Sequence, residues 1–351
     1  MKLLACDIGS TNLKLQVFTI DRNELLPQPY GDAQIVTHGQ DWLQADQPLE
    51  ALSKWLVDMA ELIIQDYGNK IDAIGFSTYR EGLIGLSSSD KVVFAGTNLR
   101  QTPLGTLEDT SIMTTLAGWM CWKLTGQCRT TAGQLDAGIA YIGRVSHATP
   151  QWAPLIGAGE NMQSGDTSSF NVYLGGTDEQ LGYVGTGLFD SDGPQLVIAT
   201  GTFWSTSHIA VGPSKPGVRR TEGVSPFLSV DSCVLYKWGP MIKELAEGNT
   251  NSSIDEPVPT RFFGHASPLW FSDGKSPSVT RQAALDDLRT ACSMLSPIKD
   301  VRAVVYGGGV RSQYARDLIN EACEGIELIF MEGDATLRGC AIVGGEILNA
   351  H

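Results

Sequence analysis

The stretch CDIGSTNLKLQVF, residues 6–18, interrupts an apolar run with one carboxylate and a group of small polar residues. Backbone N–H groups around Gly9, Ser10, Thr11 and Asn12 can converge on an anion, and Lys14 can add a positive charge. Asp7 has no cation close by in sequence, which suits a carboxylate holding hydrated Mg²⁺ beside a phosphate. An ordinary hairpin with a polar turn has the same composition and stays open as an alternative. Thr200, Gly201 and Thr202, within ATGTFWST, make a second turn of the same kind. Two such turns facing one another would grip a nucleotide's phosphates from both sides. Gly307, Gly308 and Gly309 in YGGGVRSQ stand at a strand's end before a helix, where bare backbone can lie against an adenine or ribose with Ser312 or Gln313 in reach.

Two further groups carry candidate chemistry. Asp178 and Glu179 follow two glycines in LGGTDEQLGYVGTG, with no Lys or Arg nearby in sequence. A carboxylate there can take the proton of a hydroxyl that attacks phosphorus. An exposed acidic loop is the plainer alternative, but Gly182, Gly185 and Gly187 imply close backbone approach just downstream. Arg80 and Glu81 in TYREG offer a donor fork and an acceptor for vicinal hydroxyls, or form a surface ion pair.

The elements that position these residues follow from hydrophobic periodicity. Residues 2–8 read as a strand, 9–12 as a turn and 13–18 as a returning strand with period two. A P-loop is excluded, because no Gly-Lys-Ser/Thr ending and no following helix are present. Residues 49–67 show a helical apolar face with Leu52, Leu56, Met59 and Ile63, and 70–78 and 83–87 read as strands. Strand, small-residue turn and strand recur over 195–211, followed by a helix at 281–295, a strand ending in glycines and a helix from Ser312. The recurrence predicts two domains of one design, with the break near 185–195. Segments 144–168 and 212–280 read as loops and short elements.

Composition narrows the classes. The 351 residues carry a net charge of -14, so a polyanion such as nucleic acid, or an anionic membrane surface, would be repelled. Seven scattered cysteines without a CxxC pair read as free thiols of a reducing cytosol. MKLLAC is too short an apolar stretch for a signal peptide, and no window is long and apolar enough to span a bilayer. A cytoplasmic location is the expectation.

Taken in order, these segments resemble the FGGY carbohydrate kinase family within the actin/hexokinase/Hsp70-like superfamily. DIGSTNLK is similar to its first phosphate motif, ATGTFWST to its second, and YGGGVRSQYARDLINEACEG with DATLRGCAIVGG to its adenosine motif and closing small-residue helix. GWMCWKLTGQCRTTAG resembles the family's W…LTG segment, and GGTDEQLGYVGTG the segment with the catalytic Asp.

The resemblance implies an α/β fold of two RNase-H-like (actin-like ATPase) domains, mixed sheets flanked by helices, with a cleft between them. Residues 1–187 would form the substrate and phosphate domain and 188–351 the nucleotide-binding domain. ATP·Mg²⁺ would donate its γ-phosphoryl group to a hydroxyl of a small sugar or polyol. Asp178 would be the general base and Asp7 the Mg²⁺-linked carboxylate. Ser10, Thr11, Asn12 and Lys14 would contact phosphate from one domain, Thr200 and Gly201 from the other, and Gly308 and Ser312 the adenosine. Arg80 and Glu81, beside Asp178 and Glu179, would hold the acceptor as in the subgroup that includes glycerol and autoinducer-2 kinases. STYREGLIGL with Asn98 and Arg100 looks most like the autoinducer-2 type, and the Met-His-Gly of xylulose-type kinases is absent from that place. The chain is shorter than typical members, and Glu179 stands where many have Gln, which should raise the proton affinity of Asp178. A catalytically silent nucleotide- or sugar-binding regulator is the alternative, and a homodimer is expected by family analogy.

Overall fold

The computed structural model describes residues 1–9, 12–21, 24–27, 34–37, 49–67, 70–80, 82–96, 103–146, 149–162, 170–201, 204–213, 218–222, 229–235, 238–248, 281–295 and 301–349. Ser10, Thr11, Glu81, Asn98, Arg100 and Thr202 lie outside the described residues, as does the side chain of Asn12. The described chain divides into two compact units, Met1–Gly185 with Thr336–His351, and Thr186–Ala335.

In the first unit β1 (Lys2–Ile8) and β2 (Asn12–Asp21) pair antiparallel, followed by β3 (Glu24–Pro27), β4 (Gln34–Thr37), α1 (Leu49–Tyr67) and β5 (Ala73–Thr78). Then come β6 (Leu83–Leu86), β7 (Val92–Gly96), β8 (Leu104–Gly105), β9 (Ile112–Thr115), α2 (Leu116–Thr125), α3 (Ala132–Val145), β10 (Asn161–Met162), β11 (Asn171–Thr177) and α4 (Asp178–Gly185). The main sheet runs β10-β11-β5-β1-β2-β3, with β4 also on β2, and a four-stranded sheet runs β8-β7-β6-β9. Strands β1, β5 and β11 are mutually parallel and central. Their near-continuous burial explains why Leu3, Leu4, Ala5 and Cys6 form an apolar run without alternation. Helix α1 buries Leu52, Leu56, Met59, Ala60 and Ile63 in the same core. Each large side chain so removed from water contributes about 1.5–3 kcal/mol.

The second unit holds β12 (Leu196–Thr200), β13 (Trp204–Ile209), β14 (Arg219–Glu222), β15 (Ser229–Leu235), α5 (Trp238–Ala246), α6 (Arg281–Leu295), β16 (Arg302–Tyr306), a 3₁₀ turn (Gly308–Arg311), α7 (Gln313–Ala322) and β17 (Glu327–Phe330). Its sheet order is β14-β15-β13-β12-β16-β17, with β12, β16 and β17 parallel. Each unit therefore carries an antiparallel hairpin whose first strand is followed in the sheet by two parallel strands: β2-β1-β5-β11 and β13-β12-β16-β17. The duplicated design predicted by the repeated strand–turn–strand signal is present at the level of topology.

The reading of 212–280 as loops and short elements needs correction. It contains β14, the seven-residue β15 and helix α5, whose Trp238, Met241 and Ile242 are buried in the second core. The last helix, α8 (Ala335–Asn349), groups with the first unit from Thr336 onward, whereas the sequence division kept 188–351 together. Small residues are the reason. A Cβ at Gly339 would overlap Leu181 O of α4, and Cβ atoms at Gly344 and Gly75 would overlap the Tyr173 ring. The Tyr173 hydroxyl donates to Cys340 O at 3.1 Å and ties α8 to β11. All seven cysteines are free thiols. Among the described residues no helix is long and apolar enough to cross a membrane.

Candidate active site

Parallel strands end at a common edge, and the side chains just beyond it converge. In β1, β5 and β11 the last paired residues are Ile8, Thr78 and Thr177, in register with one another. Asp7 therefore sits one residue inside that edge, beside its register partner Ser77, while Arg80 and Asp178 lie just past it. The hairpin register places Lys14 opposite Asp7 on β2. Asp7 is 2% exposed and accepts from Lys14 Nζ at 3.1 Å and from Ser77 Oγ at 3.2 Å. The sequence sets no cation next to Asp7, and the fold supplies one. Seven residues separate the two along the chain, but folding the hairpin sets them side by side.

Asp178 does not lie in a loop. β11 carries a bulge between Leu174 and Gly176, and Gly176 has φ +139°, a conformation that favours glycine. The bulge turns the chain into α4, whose N-cap is Thr177. Thr177 Oγ1 accepts from Gln180 N at 3.3 Å, and Gln180 Oε1 accepts from Thr177 N at 3.2 Å. This reciprocal cap makes Asp178 and Glu179 the first two residues of the helix, where acidic side chains face its positive end. The T-x-x-Q spacing in TDEQ is the sequence signal of this helix start. The same spacing in TTAGQ caps α3, where Thr131 Oγ1 accepts from Gln134 N, and Gln134 Nε2 donates to Gly176 O at 3.3 Å, bracing the bulge. The close approach expected of the downstream glycines is made by α8, since Gly339 packs against Leu181 and Gly185.

Electrostatics single out Asp178. Its pKa is pushed up from 3.8 to about 7, first by burial, then by the negative charges of Asp7 and Glu179, against smaller opposing effects of the Glu179 N–H and Lys14. Glu179 N donates to Asp178 Oδ1 at 2.8 Å. Glu179 itself lies 3.5 Å from Arg80 Nη1 and accepts from the Tyr183 hydroxyl at 2.8 Å. Tyr183 carried no signal in the sequence; its place one turn after Glu179 on α4 explains the contact.

In the second unit the turn residues and the glycines meet. Thr200 and Tyr306 end the parallel pair β12 and β16, and Thr200 Oγ1 donates to Tyr306 O at 2.7 Å. Thr200 is 1% exposed, and its hydroxyl is bonded within the sheet edge. Gly307, with φ +101°, lies against the Thr200 backbone, and a Cβ at Gly309 would come within 2.7 Å of Thr200 Cβ. Gly201 is exposed, and a Cβ at Gly308 would meet nothing within 4 Å. Ser312 caps α7, accepting from Ala315 N at 3.3 Å, and Gln313 Nε2 donates to Asp317 at 2.8 Å. Of the nucleotide contacts expected here, Gly201 and Gly308 present open backbone, while Thr200, Gly309 and Ser312 serve internal structure.

No model of a protein family matches the chain, and no curated protein matches it. Solved structures do. A ligand-bound xylulose kinase from Lactobacillus acidophilus superposes with a TM-score of 0.66 at 15% identity, over 100% of this chain and 90% of that one. Plasmodium falciparum glycerol kinase with ADP gives 0.65 at 11% identity, over 99% and 89%. A gluconate kinase from Lactobacillus acidophilus gives 0.62 at 14%, over 100% and 90%. The chain thus has the α/β fold of these sugar and polyol kinases, the two-domain actin-like ATPase fold.

Proposed function

We propose that this protein is a member of the FGGY-type carbohydrate kinases that transfers the γ-phosphoryl group of ATP to a hydroxyl of a small sugar or polyol. The observation that carries this is Asp178, a carboxylate at the C-terminal edge of parallel strands with its pKa pushed up to about 7. A group whose proton affinity lies near neutral pH is suited to take a proton from an attacking hydroxyl. Its partners hold it in place: the capped α4 start fixes its backbone, and the Glu179 N–H fixes one oxygen.

The donor set fits Mg²⁺. That ion binds through one or two carboxylates and leaves its other positions to water and phosphate oxygens. The negative charge of Asp7 opposes ionisation of Asp178, and a dication held at Asp7 would offset part of that charge. Asp7, held by Lys14 and Ser77, is the residue that would hold the ion, which leaves Asp178 to take the proton. When bound, it would neutralise charge on the transferring phosphate. Lys14 orients Asp7 and adds positive charge at the first turn, where Gly9, Ser10, Thr11 and Asn12 supply further donors. Gly201, Thr202 and the open backbone at Gly308 serve the nucleotide from the second unit, with Thr200 and Gly309 shaping that edge. Arg80 and Glu81 orient the acceptor, whose hydroxyl gives its proton to Asp178 as the bond to phosphorus forms.

The test combines calorimetric titration of ATP·Mg²⁺ with a phosphate-transfer screen over polyols and ketoses, for the parent and for Asp178→Asn. Transfer by the parent and its loss in the variant, with nucleotide binding retained, is the expected result. Tight nucleotide binding without transfer to any acceptor would overturn the kinase assignment in favour of a silent binding protein.

A further inference from the structure

The peptide that joins Asp178 to Glu179 is held at both of its polar ends. Its N–H donates to Asp178 Oδ1 at 2.8 Å, and its oxygen accepts from the Thr336 hydroxyl at 3.2 Å. A peptide unit is planar, so the bond at the oxygen fixes where the N–H points, and the N–H in turn fixes one carboxylate oxygen. Thr336 is 7% exposed and stands 158 residues away in the chain, as the second residue of α8. Its own position is secured by the helix that carries it. Gly339 lets α8 approach Leu181 O of α4, and the Tyr173 hydroxyl donates to Cys340 O at 3.1 Å.

From this arrangement we infer that Thr336 is a positioning residue for phosphoryl transfer: its hydroxyl, acting through the Asp178–Glu179 peptide, orients the Asp178 carboxylate toward the acceptor hydroxyl. The inference rests on the kinase assignment above and adds a residue from the far end of the chain. A carbonyl in the first turn of a helix has its partner in the N–H four residues on, so Asp178 O gains a second donor from Thr336. That second bond does not close the helix; it sets the tilt of one peptide. Without it the peptide is free to rock, and the carboxylate held by its N–H rocks with it. Proton transfer demands hydrogen-bond reach between carboxylate and hydroxyl, and small displacements of a reacting group are costly in rate. Threonine combines a hydroxyl with a methyl group, and only the hydroxyl belongs to this scheme. Valine keeps the shape without the hydroxyl, and serine keeps the hydroxyl without the methyl, so two substitutions separate orientation from packing.

The experiment measures kcat and KM with ATP·Mg²⁺ and the best polyol or ketose of the panel, for the parent, Thr336→Val, Thr336→Ala and Thr336→Ser, beside nucleotide titration and urea unfolding. Thr336→Val and Thr336→Ala should lower kcat by roughly 3- to 10-fold, the population change that one net hydrogen bond commands, with nucleotide affinity unchanged. Thr336→Ser should keep kcat within about two-fold of the parent, although it loses the methyl contact. Thr336→Ala tests loss of the hydroxyl a second time, so the result does not depend on how valine packs. Parent-like kcat in Thr336→Val with a fall in Thr336→Ser overturns the inference, since packing is then what matters. One common fall in all three variants, tracking the urea midpoint, overturns it as well. Either result leaves the kinase assignment standing. Transfer by the parent to no acceptor of the panel overturns that assignment, and this inference with it.

Discussion

Replacing Asp178 by Asn should stabilise the protein while it destroys transfer, and the two effects can be weighed from the same geometry. Asp178 has its pKa raised from 3.8 to about 7, so the folded chain holds its proton more tightly than the unfolded chain does. The sign follows: the carboxyl costs nothing below about pH 3, where it is neutral in both states, and its cost grows as pH rises and levels off above about 7. The full cost is about 4 kcal/mol at 1.36 kcal/mol for each tenfold change in affinity. Asn keeps an oxygen for the Glu179 N–H but loses the favourable interaction of a charge with the helix start, about 0.3–1 kcal/mol. Relaxation takes a further share, leaving a net gain of roughly 1–3 kcal/mol at pH 8. Urea unfolding in EDTA at pH 4, 5, 6, 7 and 8, followed by tryptophan fluorescence, reads this directly. The gain should be smallest at pH 4 and largest at pH 8. In the transfer assay kcat should fall by about 100-fold or more, the contribution of a positioned proton acceptor. A stability difference that does not change with pH would refute the account of a carboxyl held against ionisation, and an unchanged kcat would refute its role as base.

Other perturbations test the supports of the site. Thr177→Ala removes the side-chain cap of α4 and should cost about 1 kcal/mol in urea unfolding, with a fall in kcat that exceeds any change in nucleotide affinity. Gly339→Ala places a methyl group against Leu181 O, so α8 must shift from α4; a loss of about 2 kcal/mol or more and earlier hydrogen exchange in 336–349 are expected. Asp287, 7% exposed on α6, has its pKa raised to about 7 by burial and by Asp286. Asp287→Asn should therefore stabilise by roughly 1–3 kcal/mol at pH 8 and by much less at pH 4, with transfer unaffected.

Local pattern accounts for much of the fold. The strand over 2–8, its return, helix α1, the strand pair around Gly201 and the strand–glycine–helix run at 302–322 are all elements whose period is visible within a dozen residues. β14, β15 and α5 were not legible, because 212–280 is rich in Gly, Pro, Ser and Thr, and the burial that makes Trp238 and Met241 core residues comes from packing on another element. The cap at Thr177 was written in the sequence, but two acidic residues after paired glycines look the same in a loop until a partner element selects the helix.

The amino-acid order by itself determined the alternation of apolar strands with small polar turns and the placing of a carboxylate or guanidinium just inside or beyond three of their ends. Only the tertiary structure decided which of those groups meet. Lys14 reaches Asp7 because the hairpin register makes them opposite, and Arg80 reaches Glu179, 99 residues away in the chain, because β5 and β11 end side by side. The physical reason is that backbone periodicity is a property of near neighbours. Charge pairing, desolvation and the raised proton affinity of Asp178 depend on distances that exist only once the parallel strands have packed.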